Sequence, residues 1–238
     1  MNSVTIRKLD DLDFRSNEAY KTLRTNIQFC GKDVKIIAVT SCTPNEGKTS
    51  VTFNLARSLA DLNKRVLYID ADLRKSVIVG RYKVDGEIRG LTHFLSGQEP
   101  FHNVVYETNV NKMHMVFAGP VPPNPAELLS NRYFSKLLPT LRDAYDYVII
   151  DTPPLGSVID SAIIARKCDG VAMVIESNNI SYKFAQKVLE QLSKADCKIL
   201  GVILNKVNMK DKGYYSKYYG KYYGKYYGTY EADDEDDE

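Results

Sequence analysis

The chain has 238 residues, of which 44% are hydrophobic and 26% are charged, and its formal net charge is +2 at pH 7. This profile is typical of a folded globular protein of one domain or two small ones. We find no apolar run near the roughly 18 residues of a membrane span, no secretory signal peptide, and no basic run that favours nucleic acid. The four cysteines lack metal-binding or paired spacing, as in proteins of a reducing compartment. We therefore expect a cytoplasmic protein.

Short apolar runs rich in β-branched residues alternate with helical stretches along residues 1–208. The pattern predicts a helix at 16–30, followed by strands at 34–41, 65–70, 113–119, 145–152, 170–177 and 198–207. Further helices are predicted at 48–63, 125–143, 157–167 and 181–195. This alternation predicts an α/β fold with a mostly parallel central sheet and helices on both faces.

After residue 208 the pattern stops, and we predict that residues 209–238 form a separate, disordered tail. Glycines recur every fourth residue in a YYGK repeat, and each disfavours a helix by about 1 kcal/mol. The tail holds nine tyrosines, namely Tyr214, Tyr215, Tyr218, Tyr219, Tyr222, Tyr223, Tyr226, Tyr227 and Tyr230. Its last eight residues are mostly acidic.

The segment SCTPNEGKTS (41–50) connects the first predicted strand of the sheet to a helix. It places Gly47, Lys48 and Thr49 at the helix start, where free backbone N–H groups favour an anion. A lysine here can reach the β and γ phosphates of a nucleotide, and the next hydroxyl can bind Mg²⁺. The pattern GxxxxGK[ST] begins with glycine, whereas this segment has Cys42. Taken alone, the segment is therefore also compatible with a structural turn.

Three aspartates end predicted strands. Asp70 and Asp72 close the strand at 65–70, and Asp151 closes the strand at 145–152. Ligands of open α/β sheets bind beyond the carboxyl ends of the strands, where these aspartates and the 41–50 loop would meet. One such aspartate is often only a cap. Three of them together with the loop predict a nucleotide site.

The motif set resembles that of the bacterial tyrosine kinases, the P-loop autokinases of polysaccharide synthesis. The first family motif, S-x-x-P-x-x-G-K-[ST], is matched by Ser41, Pro44, Gly47, Lys48 and Thr49. The second, D-x-D-x-R, is matched by Asp70, Asp72 and Arg74, and the third, D-x-P-P, by Asp151, Pro153 and Pro154. The resemblance runs from the 16–27 segment to the tyrosine tail and implies a P-loop NTPase fold.

The ATPases of the MinD and ParA group share this fold but carry K-G-G-x-G-K-[ST]. Thr43, Pro44 and Asn45 stand here in place of Lys-Gly-Gly. An ATPase switch of that group remains the alternative function, and a scaffold with an adhesive tail is a second alternative. The final acceptor of the phosphate, water or protein, distinguishes the first alternative from a kinase.

Several site assignments follow for phosphoryl transfer from ATP. We assign the metal to Thr49, Asp72 and Asp151. The resemblance implies that Asp70 is the base, although exchanging the roles of Asp70 and Asp72 would not contradict the sequence. Arg74 is interpreted either as a stabiliser of the transferred group or as a member of an ion pair. Resemblance to related NTPases implies that Asn205 contacts adenine, whereas an asparagine that ends a strand equally often forms a turn. The predicted nucleotide-binding residues are Ser41, Thr43, Pro44, Asn45, Glu46, Gly47, Lys48, Thr49, Ser50 and Asn205.

The resemblance also implies a regulatory cycle and partners. The tail tyrosines are the expected phosphate acceptors, and the family's E-x-x-R-x-x-R motif, which builds a ring of subunits, corresponds to Glu18, Lys21 and Arg24. Lys21 replaces an arginine of that motif, which leaves the ring size open. The expected partners are the cytosolic part of a membrane-embedded polysaccharide co-polymerase that recruits and activates the kinase, a tyrosine phosphatase and protein substrates.

Overall fold

The strands that the structure describes lie in one sheet. A computed structural model describes residues 2–208, and the tail at 209–238 lies outside the described residues. The eight strands of the described part are β1 (Asn2–Val4), β2 (Ile36–Ser41), β3 (Val66–Asp70), β4 (Val105–Thr108), β5 (Met113–Val116), β6 (Tyr147–Asp151), β7 (Gly170–Glu176) and β8 (Ile199–Asn205). Their order across the sheet is β1-β4-β5-β3-β6-β2-β7-β8.

Nine helices flank the strands within residues 2–208. They are α1 (Phe14–Phe29), α2 (Lys48–Ala60), α3 (Ile78–Arg81), α4 (Leu91–Leu95), α5 (Phe101–Val104), α6 (Pro125–Ser130), α7 (Arg132–Ala144), α8 (Asp160–Ala165) and α9 (Tyr182–Lys194). Met1–Asn205 form one compact unit. The domain boundary at 208 remains a prediction.

The six predicted strands are present, and all of them run parallel to their neighbours in the order β5-β3-β6-β2-β7-β8. The mostly parallel α/β prediction is therefore confirmed. Strands β1 and β4 were not predicted, and β4 pairs antiparallel with β5. Both are short, at three and four residues, and lack a long apolar run.

Two predicted helices have different bounds in the structure. The helix expected at 125–143 is broken at Asn131, which leaves helical geometry and accepts hydrogen bonds from the backbone N–H groups of Tyr133 and Phe134. An asparagine that caps a new helix ends the preceding one. The helix expected at 157–167 begins only at Asp160, because residues 157 and 158 form turns back to the Pro154 carbonyl.

The central strands are buried on both faces, as parallel strands covered by helices must be. In β2 the alternating residues Ile36 and Ala38 enter one core cluster, and Ile37 and Val39 enter the other. Helix α2 packs on the second face through side chains that include Phe53. The carboxyl ends of β2, β3 and β6 are thereby held at one edge of a rigid sheet.

Gly90 gives a test of the packing next to this sheet. A Cβ at Gly90 would lie 2.3 Å from the Gly119 nitrogen and 2.4 Å from the Phe117 oxygen, both backbone atoms. We expect Gly90→Ala to destabilise the protein by about 1 to 3 kcal/mol, as measured by urea unfolding. At Gly80 a Cβ meets nothing within 4 Å, so Gly80→Ala is the control. Equal stability of the two variants would contradict the packing.

Candidate active site

The predicted phosphate loop lies between the end of β2 at Ser41 and the start of α2 at Lys48. Gly47 precedes the helix with a φ of 87°, a left-handed conformation that glycine adopts without strain. Asn45 is also left-handed, with a φ of 69°. The loop therefore curls around the N-terminus of α2, whose first N–H groups are available to an anion.

Glu46 braces this loop from inside the protein. Its side chain is fully buried, and Oε1 accepts hydrogen bonds from the Thr43 backbone N–H and, at 2.9 Å, from the Thr43 hydroxyl. Oε2 accepts from the Glu176 backbone N–H at 3.1 Å, and the Glu46 carbonyl accepts from Asn205 Nδ2 at 2.9 Å. The structure thus places Asn205 beside the loop, although its contact with adenine remains a prediction.

Lys48 and Asp151 form a buried ion pair. Lys48 Nζ lies 2.5 Å from Asp151 Oδ1, and the side chains are 7% and 1% exposed. The Tyr68 hydroxyl donates to the other carboxylate oxygen at 3.0 Å. Sequence reasoning missed Tyr68, although a hydroxyl two residues before Asp70 on the same face of an apolar strand was a usable signal. Together these groups fix the orientation of the Asp151 carboxylate.

Asp70 lies directly beside Asp151, because the β3–β6 register pairs these two residues. Its carboxylate accepts hydrogen bonds from the Ser76 hydroxyl and from the Asp72 backbone N–H. Burial, followed by the charge of Asp151, raises the pKa of Asp70 from 3.8 to about 7, against the opposing effects of Ser76 and Lys48. A carboxylate with a pKa near neutrality is suited to accept a proton at physiological pH.

This raised pKa has a measurable effect on stability. Asp70 has a pKa of 3.8 in the unfolded chain and about 7 in the folded protein, so its protonated form stabilises the fold. This contribution to the free energy of unfolding is roughly 4 kcal/mol, is fully present below pH 3.8 and is lost as the pH rises through 7. We expect Asp70→Asn to remove it, so that the wild type loses more stability than the variant between pH 4.5 and 8 in urea unfolding without nucleotide. Parallel pH profiles for the two proteins would contradict this.

The predicted metal ligands lie at the same edge of the sheet. Asp72 is partly buried, and its Oδ1 accepts from the Lys75 backbone N–H at 3.0 Å. The Thr49 hydroxyl is 3.5 Å from Lys48 Nζ in the first turn of α2. Within residues 2–208, no three His, Cys, Asp or Glu side chains converge on a metal position. A set of two carboxylates and a hydroxyl suits Mg²⁺, which uses few protein ligands beside phosphates and water.

Arg74 is in an ion pair, which was one of its two predicted roles. Its Nε donates to Asp160 Oδ2 at 2.7 Å, and its Nη2 donates to Asp160 Oδ1 at 2.9 Å. The Asp160 side chain is fully buried, whereas that of Arg74 is 41% exposed. Sequence reasoning did not identify Asp160, which stands beyond the D-x-P-P motif without a recognised pattern. Contact of Arg74 with the transferred group remains a prediction.

The residues proposed for oligomerisation make contacts within their own chain. Lys21 Nζ is 2.5 Å from Glu18 Oε1, and Arg24 donates to the carbonyl of Ser58 on α2 at 2.8 Å. A role in ring assembly therefore remains a prediction.

The tail tyrosines lie outside the described residues. In the part of the chain that the structure describes, no helix combines the length and apolar character needed to cross a bilayer.

Comparison with known proteins agrees with this site. Residues 34–201 match the family model described as AAA domain. Tyrosine-protein kinase CpsD of Streptococcus agalactiae is 45% identical over 208 residues, which cover 85% of this chain and 91% of that protein. This chain therefore aligns with a protein named as a tyrosine-protein kinase across nearly the whole length of that relative.

Solved structures show the same fold. The kinase domain of the Escherichia coli tyrosine kinase ETK has a TM-score of 0.79 and 33% identity, covering 83% of this chain and 78% of that one. MinD of Pyrococcus horikoshii OT3, solved with Mg-ADP, has a TM-score of 0.64 and 25% identity, covering 74% and 72%. The P-loop NTPase fold is therefore confirmed, with greater similarity to the kinase than to this ATPase. From its sequence identity, its motifs and its fold, this chain belongs to the family of bacterial tyrosine kinases.

Proposed function

We propose that this kinase transfers the γ-phosphoryl group of ATP to the tyrosines of its own tail, and that this modification controls the synthesis and export of capsular or extracellular polysaccharide. One observation carries the proposal. Lys48, Asp151 and Asp70 lie together at the end of the phosphate loop, and the pKa of Asp70 is raised to about 7. The relatives are named tyrosine-protein kinases. The chain also has nine clustered tyrosines in residues 214–230.

The residues divide the reaction between binding and proton transfer. The N–H groups at the start of α2 hold the phosphates, and Lys48 moves its ammonium group from Asp151 to the β and γ phosphates. A tyrosine hydroxyl has a pKa near 10, so Asp70 accepts its proton as the oxygen attacks the γ-phosphorus. The bond from that phosphorus to the β–γ bridging oxygen breaks, which leaves ADP and phosphotyrosine. Charge stabilisation and alignment supply most of the acceleration.

Mg²⁺ fits the oxygen ligands of Thr49, Asp72 and Asp151, and when bound it neutralises charge on the phosphates. The solved MinD relative contains Mg-ADP. The Ser50 hydroxyl is buried and has no hydrogen-bond partner within residues 2–208, so a bound ligand in the first turn of α2 would satisfy it. These observations support ATP and Mg²⁺ as the substrate and cofactor.

Transfer between subunits is compatible with the length of the tail. The fourteen residues from Asn208 to Tyr222 span at most about 45 to 50 Å when extended. A tail can thus reach the active site of a neighbour in a ring whose contacts include Glu18, Lys21 and Arg24. Phosphorylation of nine tyrosines adds about −14 to −18 charges, which we expect to release the tail and loosen the ring.

The proposed partners complete this cycle. A membrane-embedded polysaccharide co-polymerase recruits and activates the kinase through its cytosolic segment, a tyrosine phosphatase resets the tail, and other proteins are further substrates. The role in polysaccharide synthesis follows from the motif resemblance to the autokinases of polysaccharide synthesis, and the relatives named tyrosine-protein kinase CpsD support the kinase activity. We place the protein in the cytoplasm, at the membrane only through this activator.

A mixing experiment tests transfer between subunits. One full-length protein carries Lys48→Met and intact tail tyrosines, and the other has an intact site and all nine tail tyrosines replaced by phenylalanine. With ATP and Mg²⁺, we expect phosphotyrosine in the mixture, on the Lys48→Met protein, and none on either protein alone. Absence of phosphotyrosine from the mixture while wild type is modified would restrict transfer to one chain. ATP consumption without any phosphotyrosine, even in wild type with an activator, would favour the ATPase switch.

A further inference from the structure

We propose that Asp160 is a positioning residue for phosphoryl transfer, because it holds the Arg74 guanidinium in the orientation that stabilises the transferred group. This inference rests on the proposed kinase reaction. It joins the two alternatives for Arg74, since the ion pair with Asp160 sets the geometry for contact with the phosphoryl group. Asp160 itself does not touch the reactants.

The contact between the two side chains is bidentate. Arg74 Nε and Nη2 reach different oxygens of Asp160 at 2.7 and 2.9 Å. Two parallel hydrogen bonds fix the plane of a guanidinium group as well as its position. Within residues 2–208, the third nitrogen, Nη1, makes no hydrogen bond. The contact with Asp160 therefore leaves the two N–H donors of Nη1 oriented by the fixed guanidinium plane.

Burial is unequal across the pair. Asp160 is fully buried in the first turn of α8, whereas the Arg74 side chain is 41% exposed. The carboxylate is thus an anchor that solvent does not displace, and the guanidinium is the accessible partner. An ion pair that served only stability would not need an exposed cation at the edge of the sheet where the predicted nucleotide site lies.

The position of Arg74 relative to the carboxylates supports the inference. Arg74 follows Asp70 by four residues and Asp72 by two, on the loop that leaves the carboxyl end of β3. Lys48 is the buried cation of the site and is only 7% exposed. Arg74 thus supplies a second, more exposed positive charge on the same edge of the sheet. Phosphoryl transfer spreads negative charge over three oxygens, so a second cation is effective there.

The test compares Arg74→Ala, Asp160→Asn and the double variant as full-length proteins. We expect Arg74→Ala to lower the rate of tyrosine phosphorylation about 10²- to 10³-fold. Asp160→Asn is expected to lower it about 10-fold or more, because a displacement of about 1 Å is costly in such a reaction. The double variant should be no slower than Arg74→Ala, since Asp160 acts through Arg74. Asp146→Asn removes a carboxylate that pairs with the exposed Arg65 and is the control.

Two measurements separate positioning from a general structural role. Affinity for ADP should be unchanged in all variants, whereas affinity for ADP with Mg²⁺ and aluminium fluoride, a mimic of the transferred group, should fall in Arg74→Ala and Asp160→Asn. Added guanidinium ion should restore part of the Arg74→Ala rate only when Asp160 is present. Thermal unfolding of each variant checks that it is folded.

Different results of these experiments would overturn the proposed kinase function and the positioning role of Asp160. If the wild type transfers no phosphate to tyrosine, with or without an activator, the proposed function fails. If the wild type is active and folded Asp160→Asn keeps its full rate and its affinity for the aluminium fluoride complex, the positioning role is wrong. If Asp160→Asn does not fold, the test is guanidinium rescue of Arg74→Ala. Absence of that rescue would also overturn the inference.

Discussion

Replacing Lys48 by methionine is expected to lower the rate of tyrosine phosphorylation by about 10³-fold or more. Lys48 is the buried cation beside Asp151, and methionine keeps the length of the side chain but removes its charge. Without Lys48, the site loses the positive charge that pairs with Asp151 and that we propose moves to the β and γ phosphates. The rate is measured as phosphotyrosine formed in wild-type and variant proteins that were dephosphorylated beforehand.

Lys75→Met is the matched control for this variant. Lys75 lies on the exposed loop after β3, where its backbone rather than its side chain contacts Asp72. We expect Lys75→Met to retain the wild-type rate, which separates a local requirement for Lys48 from a general effect of lost positive charge. Retention of more than a tenth of the wild-type rate in folded Lys48→Met would contradict the assigned role of the phosphate loop.

Asp70→Asn is expected to lower the same rate about 10²- to 10⁴-fold, the usual contribution of a general base. Asparagine is similar in size but cannot accept the tyrosine proton. Because the pKa of Asp70 is raised to about 7, the nucleotide-free enzyme holds the reactive carboxylate form mainly above that pH. The wild-type rate should therefore increase as the pH rises through 7, whereas the residual rate of Asp70→Asn should not.

Asp72→Asn distinguishes the two carboxylates of the D-x-D-x-R motif. A ligand of Mg²⁺ sets the concentration of metal that the enzyme needs, so Asp72→Asn should require more Mg²⁺ for half of its maximal rate. Asp70→Asn should instead remain slow at any Mg²⁺ concentration. The reverse result, in which added Mg²⁺ rescues Asp70→Asn but not Asp72→Asn, would exchange the two roles.

The part of the fold that builds the site could be predicted from sequence because strong, local patterns encode it. The apolar runs that form β2, β3 and β6 are long enough to identify a parallel sheet, and each leads into a polar residue of the site. Gly47 and Lys48 mark the phosphate loop at the start of α2. The loop enters the helix through a left-handed backbone conformation at Gly47, which glycine adopts without strain.

The remaining features depend on contacts that a single sequence does not encode locally. Asp160 and Glu46 act through partners 86 and 130 residues away, Arg74 and Glu176 respectively. Tyr68 gave a local signal, but its partner Asp151 is 83 residues away along the chain. The break between α6 and α7 depends on Asn131, which a helical period predicts to be helical although it caps α7.

The central claim is that this site phosphorylates tyrosines of its own chain. The most direct measurement is the intact mass of dephosphorylated full-length protein after incubation with ATP and Mg²⁺, beside Lys48→Met and the variant with nine tail phenylalanines. We predict stepwise gains of phosphate mass in the wild type and no gain in either variant. Consumption of ATP with no change in the mass of the wild type, even with the cytosolic segment of a membrane activator present, would contradict the claim.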